Sequence, residues 1–436
     1  MKAQLKSKST GEKLWTKNFF LLWQGQMVSC LGDVLYLIAL DFWVLDVTGS
    51  TALMGALSAL TMLPRIILGP FAGVFVDKWK RKNVIIFTDL IRGIVITLVG
   101  ILALMGYIQV WMVFVIGILS GICQAFFGPA VSALRPEIVD ESRIIKANSV
   151  TSIADSGMNI LGSVVGGVLY VAIGAPYMFF ANGISFLFSA FTEIFIREPQ
   201  RVRKEKEELT YKEDLKGGFK FIWRFKTLRN LMLTASILNL LASSAFILIL
   251  PYFKSMEFLG PQRYGVFSAV MSVGMLAGSF LLSVVNIKKD YKYGIFAFST
   301  IFCMATLPIL FLLKNFTLML IIAFFTLSAN VIFNTLFQST LAVVVPSDMR
   351  GKVFALLGTI SGGMQPIGAF VGGVLGQVLP IQVAIVSILA VDLLLGIIMV
   401  LPKGVKKLIE YDSSDGTVDE LINITNGNKI KVNVSQ

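Results

Sequence analysis

Met158-Asn-Ile-Leu-Gly-Ser-Val-Val-Gly-Gly-Val-Leu169 and Met364-Gln-Pro-Ile-Gly-Ala-Phe-Val-Gly-Gly-Val-Leu375 are two copies of one pattern, with seven of twelve positions identical. Composition alone would give roughly one match. The copies stand 206 residues apart, and upstream of them Pro136-Glu-Ile-Val-Asp-Glu-Ser-Arg143 is echoed, 207 to 210 residues on, by Pro346-Ser-Asp-Met-Arg350. A repeat at this distance in a chain of 436 residues divides it into two similar halves. Gly162, Gly166 and Gly167, with their counterparts Gly368, Gly372 and Gly373, have the small-residue spacing that lets helices pack closely in lipid.

Around the repeat the chain is apolar. It is 56% hydrophobic and only 15% charged, with mean hydropathy +0.78, which excludes a soluble or disordered protein. Twelve stretches are long enough to cross roughly 30 Å of hydrocarbon as helices. They cover residues 18–46, 51–76, 84–106, 110–134, 147–172, 174–196, 229–253, 263–287, 292–313, 316–341, 352–377 and 380–402. The fold class is therefore an all-α membrane protein of twelve transmembrane helices in two six-helix bundles. The expected organisation is a basic N-terminus (1–17), a first bundle (18–196), a linker (197–228), a second bundle (229–402) and a polar tail (403–436) with little order. In the linker, Leu215, Phe219, Ile222 and Trp223 can share one face of an interfacial amphipathic helix. The first apolar run is too long for a signal peptide and is retained as a span.

The net charge of +12 has a topological explanation. With both termini cytoplasmic, 33 of the 38 Lys and Arg lie on the cytoplasmic side, three lie outside (Lys254, Arg263, Lys314) and two lie within spans (Arg65, Arg92). This is the positive-inside distribution, so no nucleic-acid partner is required. There is no histidine and no G-x-x-x-x-G-K-[ST] loop, which argues against a Ser-His-Asp triad, a His-ligated metal or ATP-driven transport within the chain. Cys30, Cys123 and Cys303 are isolated from one another in separate spans. No enzyme activity, cofactor or metal is expected.

Ionisable residues within the bilayer cost about 2.5–3.5 kcal/mol each on insertion scales, so those retained are functional candidates. Asp33 and Asp41 in the first span are the expected proton-coupling groups, because with no histidine available carboxylates must carry any coupling. Asp33 can instead form a structural ion pair with Arg65 or Arg92. Asp89 and Arg92, three apart on one helix, suit a local pair. Asp392, mid-way along the last span, has no evident partner in its own helix. In the tenth span Asn330, Asn334 and Gln338 form a stripe among phenylalanines, and Asn239 and Ser243 repeat the spacing in the seventh. Such amides suit either a pocket for a bulky amphiphile or interhelical hydrogen bonding.

The loop after the second span reads Gly73-Val-Phe-Val-Asp77-Lys78-Trp-Lys-Arg81-Lys82 and resembles the signature of the major facilitator superfamily, with Lys80 where that family usually has glycine. Gly73 would allow close packing, while Asp77, Lys78, Arg81 and Lys82, with Arg65, Asp89 and Arg92, would form a gate and charge relay. Gly162, Gly166 and Gly167 resemble the family's antiporter motif, except that its glycine-proline pair is here Gly162-Ser163. Ser29-Cys-Leu-Gly32-Asp33, Ala125-Phe-Phe-Gly-Pro129 and Met349-Arg350-Gly351-Lys352-Val353 are similar to the branch that includes bacterial macrolide-efflux proteins and the enterobactin exporter. The resemblance covers about residues 18–402. It implies a proton-coupled exporter of small amphiphiles, such as macrolides, in the bacterial plasma membrane, working as a monomer by alternating access. It also implies a cavity lined by the first, fourth, seventh and tenth spans, with Gln26, Gln124, Phe127, Asn239, Asn330, Asn334 and Gln338 as its candidate walls. Two other readings remain open here: export of an endogenous metabolite such as a siderophore, and a non-transporting sensor or scramblase.

Overall fold

The computed structural model describes residues 14–197, 211–412 and 416–425, without the side chains of 70, 74, 77, 211–216, 347, 348 and 355. Its elements are helical. The first half holds α1 (Lys17–Thr48), α2 (Thr51–Lys78), α3 (Arg81–Leu104), α4 (Val110–Ile138) and α5 (Ile144–Glu193). A connecting helix α6 (Tyr211–Arg224) leads to α7 (Lys226–Ser255), α8 (Pro261–Val284), α9 (Lys289–Leu310), α10 (Phe316–Val344), α11 (Ser347–Val378) and α12 (Ile381–Val400). Two short helices follow, α13 (Lys403–Ile409) and α14 (Val418–Thr425).

Eleven helices are long and apolar enough to span a bilayer. One of them, α5, crosses twice. Its two limbs meet without a loop at Gly174, whose φ of 78° is open to glycine and strained for a side chain, and Pro176 starts the second limb. The fifth and sixth expected spans are these limbs, so the twelve passes stand. Other turns are similarly tight. Thr48-Gly49-Ser50 joins α1 to α2: Gly49 (φ 60°) caps α1 through its N–H to the Leu45 carbonyl, and Ser50 Oγ accepts from Leu53 N.

The two halves repeat one another in packing as well as sequence. Within the first, α1 and α3 pack on α5 and α2 packs on α4; within the second, α7 packs on α11 and α12, α9 on α12, and α8 on α10. Across the halves the large contacts are α2 with α11 and α5 with α8, equivalent pairs under a shift of six passes. An internal two-fold relation accounts for both.

The linker and tail depart from expectation in detail. Residues 198–210 and the side chain of Leu215 lie outside the described residues, but α6 is helical as the pattern implied. Its face is split: Ile222 is buried, whereas Phe219 and Trp223 are exposed, stacked at 5.0 Å, with the Arg229 guanidinium 4.9 Å from the Trp223 ring. The tail expected to lack order is helical over 403–409 and 418–425. Leu408, Leu421 and Ile422 are buried in the cluster that also holds Leu228 of α7. The missed signal is Thr417-Val-Asp-Glu420, a capping box in which Thr417 N donates to Glu420 Oε2 and Glu420 N donates to Thr417 Oγ1. Thr417→Ala should cost about 1 kcal/mol of local stability, read as faster amide exchange over 418–425; unchanged exchange would refute the capping assignment.

Candidate functional site

A buried polar cluster joins α1, α3, α4 and the second limb of α5. Gly25 and Gly32 make room for it: a Cβ on Gly32 would clash with the side chains of Ser185 and Asn182, and one on Gly25 would stand 2.9 Å from Ser189 Oγ. Arg92 Nη2 donates to both oxygens of Asp33 at 2.9 and 3.1 Å, and its Nη1 to Gln124 Oε1 at 3.4 Å. Its guanidinium carbon stands 3.8 Å from the centre of the Phe186 ring. Asn182 Nδ2 adds a donor to Asp33 at 3.5 Å. Asp33 thus pairs with Arg92; Arg65 is exposed and makes no ion pair among the described residues.

The local Asp89–Arg92 pair is not formed, because the guanidinium is committed to α1. Asp89 is fully buried with neither oxygen hydrogen-bonded, and Glu193, also fully buried, accepts only from Ser189 Oγ at 3.4 Å. Glu193 and Asn182 were not singled out from sequence, yet Asn182, Ser185, Ser189 and Glu193 recur at intervals of three and four on one helical face.

The expected substrate-cavity residues divide between two places. Asn239, Asn330, Asn334 and Gln338 line one pocket of about 390 Å³ within the second half, together with Asp392. Gln26, Gln124 and Phe127 belong to the first half and are not in it: Gln124 serves Arg92, and Phe127 packs in an apolar cluster with Val76 and Val131. The seven residues expected to wall one cavity thus lie in two places in this arrangement. A second cavity, about 410 Å³, lies between the halves, walled by α1, α2, α5, α7, α8 and α11. Asp41 lines it, opposite Tyr264 of the other half.

One end of the molecule is closed across the halves. Gly167 meets Gly265 of α8, where a Cβ would stand 3.3 Å from the Gly265 Cα, and Gly373 meets Gly55 of α2, where the distance would be 3.0 Å. Gly162 and Gly166 instead pack on α1 side chains, Val34 and Ile38, and Gly368 and Gly372 on the α7 backbone. Each repeat copy therefore spends its first two glycines inside its own half and its last on the opposite half. Nearby, Asp46 accepts from Tyr170 Oη and Lys254 Nζ, and Phe42 stacks on Tyr170 at 4.8 Å and meets Tyr264 edge-on at 5.7 Å.

The other end carries the basic loops, and among the described residues no glycine crossing joins the halves there. Among the described residues, none comes within 4 Å of where a Cβ on Gly73, Gly157, Gly358 or Gly362 would stand. Arg81 Nη1 donates to the Ala133 carbonyl at 2.6 Å and to Glu137 Oε1 at 2.5 Å, tying α3 to α4. Lys82 Nζ donates to the Ile194 carbonyl at 2.6 Å, and Lys78 is exposed. The side chain of Asp77 lies outside the described residues.

Two equivalent bundles that touch across one end and enclose a cavity between them define a membrane transporter. The chain belongs to the Major Facilitator Superfamily, which it matches over residues 22–369. It is 26% identical to the uncharacterized MFS-type transporter YfiS of Bacillus subtilis, over 91% of this chain and 95% of that protein. It is equally 26% identical to macrolide efflux protein A of Streptococcus pyogenes, over 81% and 88%. A solved bacterial homologue of the iron transporter ferroportin in inward-facing state shares the fold, with a TM-score of 0.68 at 14% identity, covering 89% of this chain and all of that one. These relatives and neighbours are transporters rather than enzymes.

Proposed function

We propose that this transporter is a proton-coupled exporter of macrolide-like or other amphiphilic compounds in the bacterial plasma membrane, working as a monomer with both termini cytoplasmic. The observation that carries this reading is the pair of glycine crossings, Gly167 on Gly265 and Gly373 on Gly55, at one end beside an inter-half cavity, with no such crossing among the described residues at the other end. With the basic end cytoplasmic, this is an inward-facing state, and rocking of the segments 18–196 and 229–402 about the cavity would give alternating access. The efflux relative supports the direction and the class of cargo.

In this reading Asp33 and Asp41 load and release protons. Asp33 is bidentate with Arg92 and still about one third exposed, so water reaches a carboxylate whose partner is fixed. Protonation would release Arg92 for Gln124 and Asp89, giving the cluster two charge arrangements that a conformational change can follow. Asp77, Lys78, Arg81 and Lys82 form the cytoplasmic gate, with Arg81 anchored on Glu137.

The test is accumulation of a labelled macrolide and of ethidium in cells lacking other exporters. Wild type should lower accumulation at least about tenfold relative to empty vector, and Asp33→Asn or a protonophore should abolish the difference. Wild-type cells that accumulate both probes as empty-vector cells do would overturn the drug-export reading. Efflux by Asp33→Asn that stays protonophore-sensitive would remove Asp33 from the coupling path.

A further inference from the structure

We propose that the pocket inside the second half is a binding site for a lipophilic organic monocation, with Asp392 as its counter-charge. The inference deepens the efflux reading and rests on it for the site's purpose, though not for its chemistry. Asp392 lies mid-way along α12, only 3% exposed, and its Oδ1 has no hydrogen-bond partner. It lines a pocket of about 390 Å³, within the size range of small-molecule sites. The walls come from α7, α9, α10, α11 and α12, and the lining contains no lysine or arginine. Cys303 on α9 is the other titratable side chain there.

A buried carboxylate without a partner is costly, so it must be protonated or meet a cation. The first half supplies its own: Arg92 satisfies Asp33 while lying over Phe186. Asp392 stands at the position of Phe186 in the repeat, 206 residues on, and among the described residues no guanidinium lines the pocket. The cation has to come from outside. Phe333, Phe337 and Phe354 supply aromatic walls for a desolvated onium group, and the amides of Asn330 and Asn334 supply polar groups for its substituents. Asn334 is exposed and Asn330 partly so, which puts a polar rim on an otherwise apolar chamber. A neutral ligand of the same shape would leave Asp392 unpaired. Proton and cation therefore compete for one carboxylate, so each cation bound displaces one proton and net charge in the pocket is conserved.

The experiment uses the full-length protein in nanodiscs and equilibrium dialysis of two probes of similar shape, tetraphenylphosphonium and the neutral triphenylphosphine oxide. Tetraphenylphosphonium should bind wild type, weakening by up to about tenfold per pH unit on acidification through the titration of Asp392, while the neutral probe shows no such slope. Asp392→Asn should weaken cation binding at least about tenfold and abolish its pH slope, with neutral binding retained, and Asp392→Glu should restore the cation preference. Wild-type binding of the cation without a pH slope, no cation binding at all, or an Asn variant that binds the cation as tightly as wild type would each overturn the site. The wild-type pH titration decides the matter even if a variant fails to fold. Because no transport is measured, cation binding that survives alongside failed macrolide efflux would sink the efflux reading and leave this site standing. Protonophore-sensitive efflux without cation binding would do the reverse.

Discussion

Gly373→Leu and Gly167→Leu should each abolish transport without unfolding the protein, by forcing apart the end at which the halves now meet. A Cβ on Gly373 would stand 2.5 Å from the Thr51 carbonyl oxygen and 3.0 Å from the Gly55 Cα, so the obstacle is backbone of the opposite half, which cannot change rotamer. Overpacking of this kind costs about 1–3 kcal/mol or more. Applied to only one of two conformations, that cost shifts the balance between them by roughly one to two orders of magnitude toward the state in which this end is open. The adjacent glycine is the control. Gly372 lies against the Ser244 backbone of its own half, so Gly372→Leu should lower thermal stability and leave the balance between conformations alone. Cysteines placed by Asp46→Cys and Lys254→Cys, which replace the ion pair bridging the halves, report the outcome through disulfide cross-linking. Wild-type background should cross-link and Gly373→Leu should not. Equal cross-linking in both would show that the glycine crossing does not hold this end closed.

That contrast was only half legible in the sequence. The repeat shows that Gly162, Gly166 and Gly167 have counterparts, and small-residue spacing shows that they pack closely, but periodicity alone cannot tell which neighbour each one meets. Rotation about the helix axis decides that, and it follows from partners such as Gly55 and Gly265, which lie outside the repeated segment. The same limit applies to the charges. Asp33 and Arg92 are evident as intramembrane ions, yet pairing across α1 and α3 depends on Gly25 and Gly32 letting α1 settle on α5. The spacing rule that favoured Asp89 for Arg92 did not hold, because Arg92 Nη2 is taken by both oxygens of Asp33 and Nη1 by Gln124. Tail order was legible and missed, since the capping box at Thr417 is a local signal. The amide stripe of α10 lines a pocket, while its separation from Gln26, Gln124 and Phe127 is visible only in the tertiary structure.

Arg92→Leu is expected to have the largest effect on the folded protein, up to about 3 kcal/mol of destabilisation, the low end for one partner removed from a buried pair because Asp33 keeps about a third of its surface exposed. Among the described residues Arg92 is the only cation hydrogen-bonded within a cluster that holds Asp33, Asp89 and Glu193. Its loss leaves three carboxyl groups with Gln124, Asn182 and serines for company, and also strips the cation from the Phe186 face. The reciprocal change should cost much less. In Asp33→Asn the guanidinium keeps Phe186 and Gln124 and has Asp89, three residues earlier on its own helix and fully buried, as a waiting partner. Asp33→Asn should therefore yield a folded, transport-deficient protein and Arg92→Leu a poorly folded one. The double variant Arg92→Leu with Asp33→Asn should recover part of the loss, because one carboxylate fewer is left uncompensated, but not all of it, since Asp89 and Glu193 remain. Thermal melting in detergent, read against recovery of monodisperse protein, separates these cases. Equal melting temperatures for Arg92→Leu and wild type would mean that the carboxyl groups already hold their protons and that Arg92 carries no charge balance in the cluster.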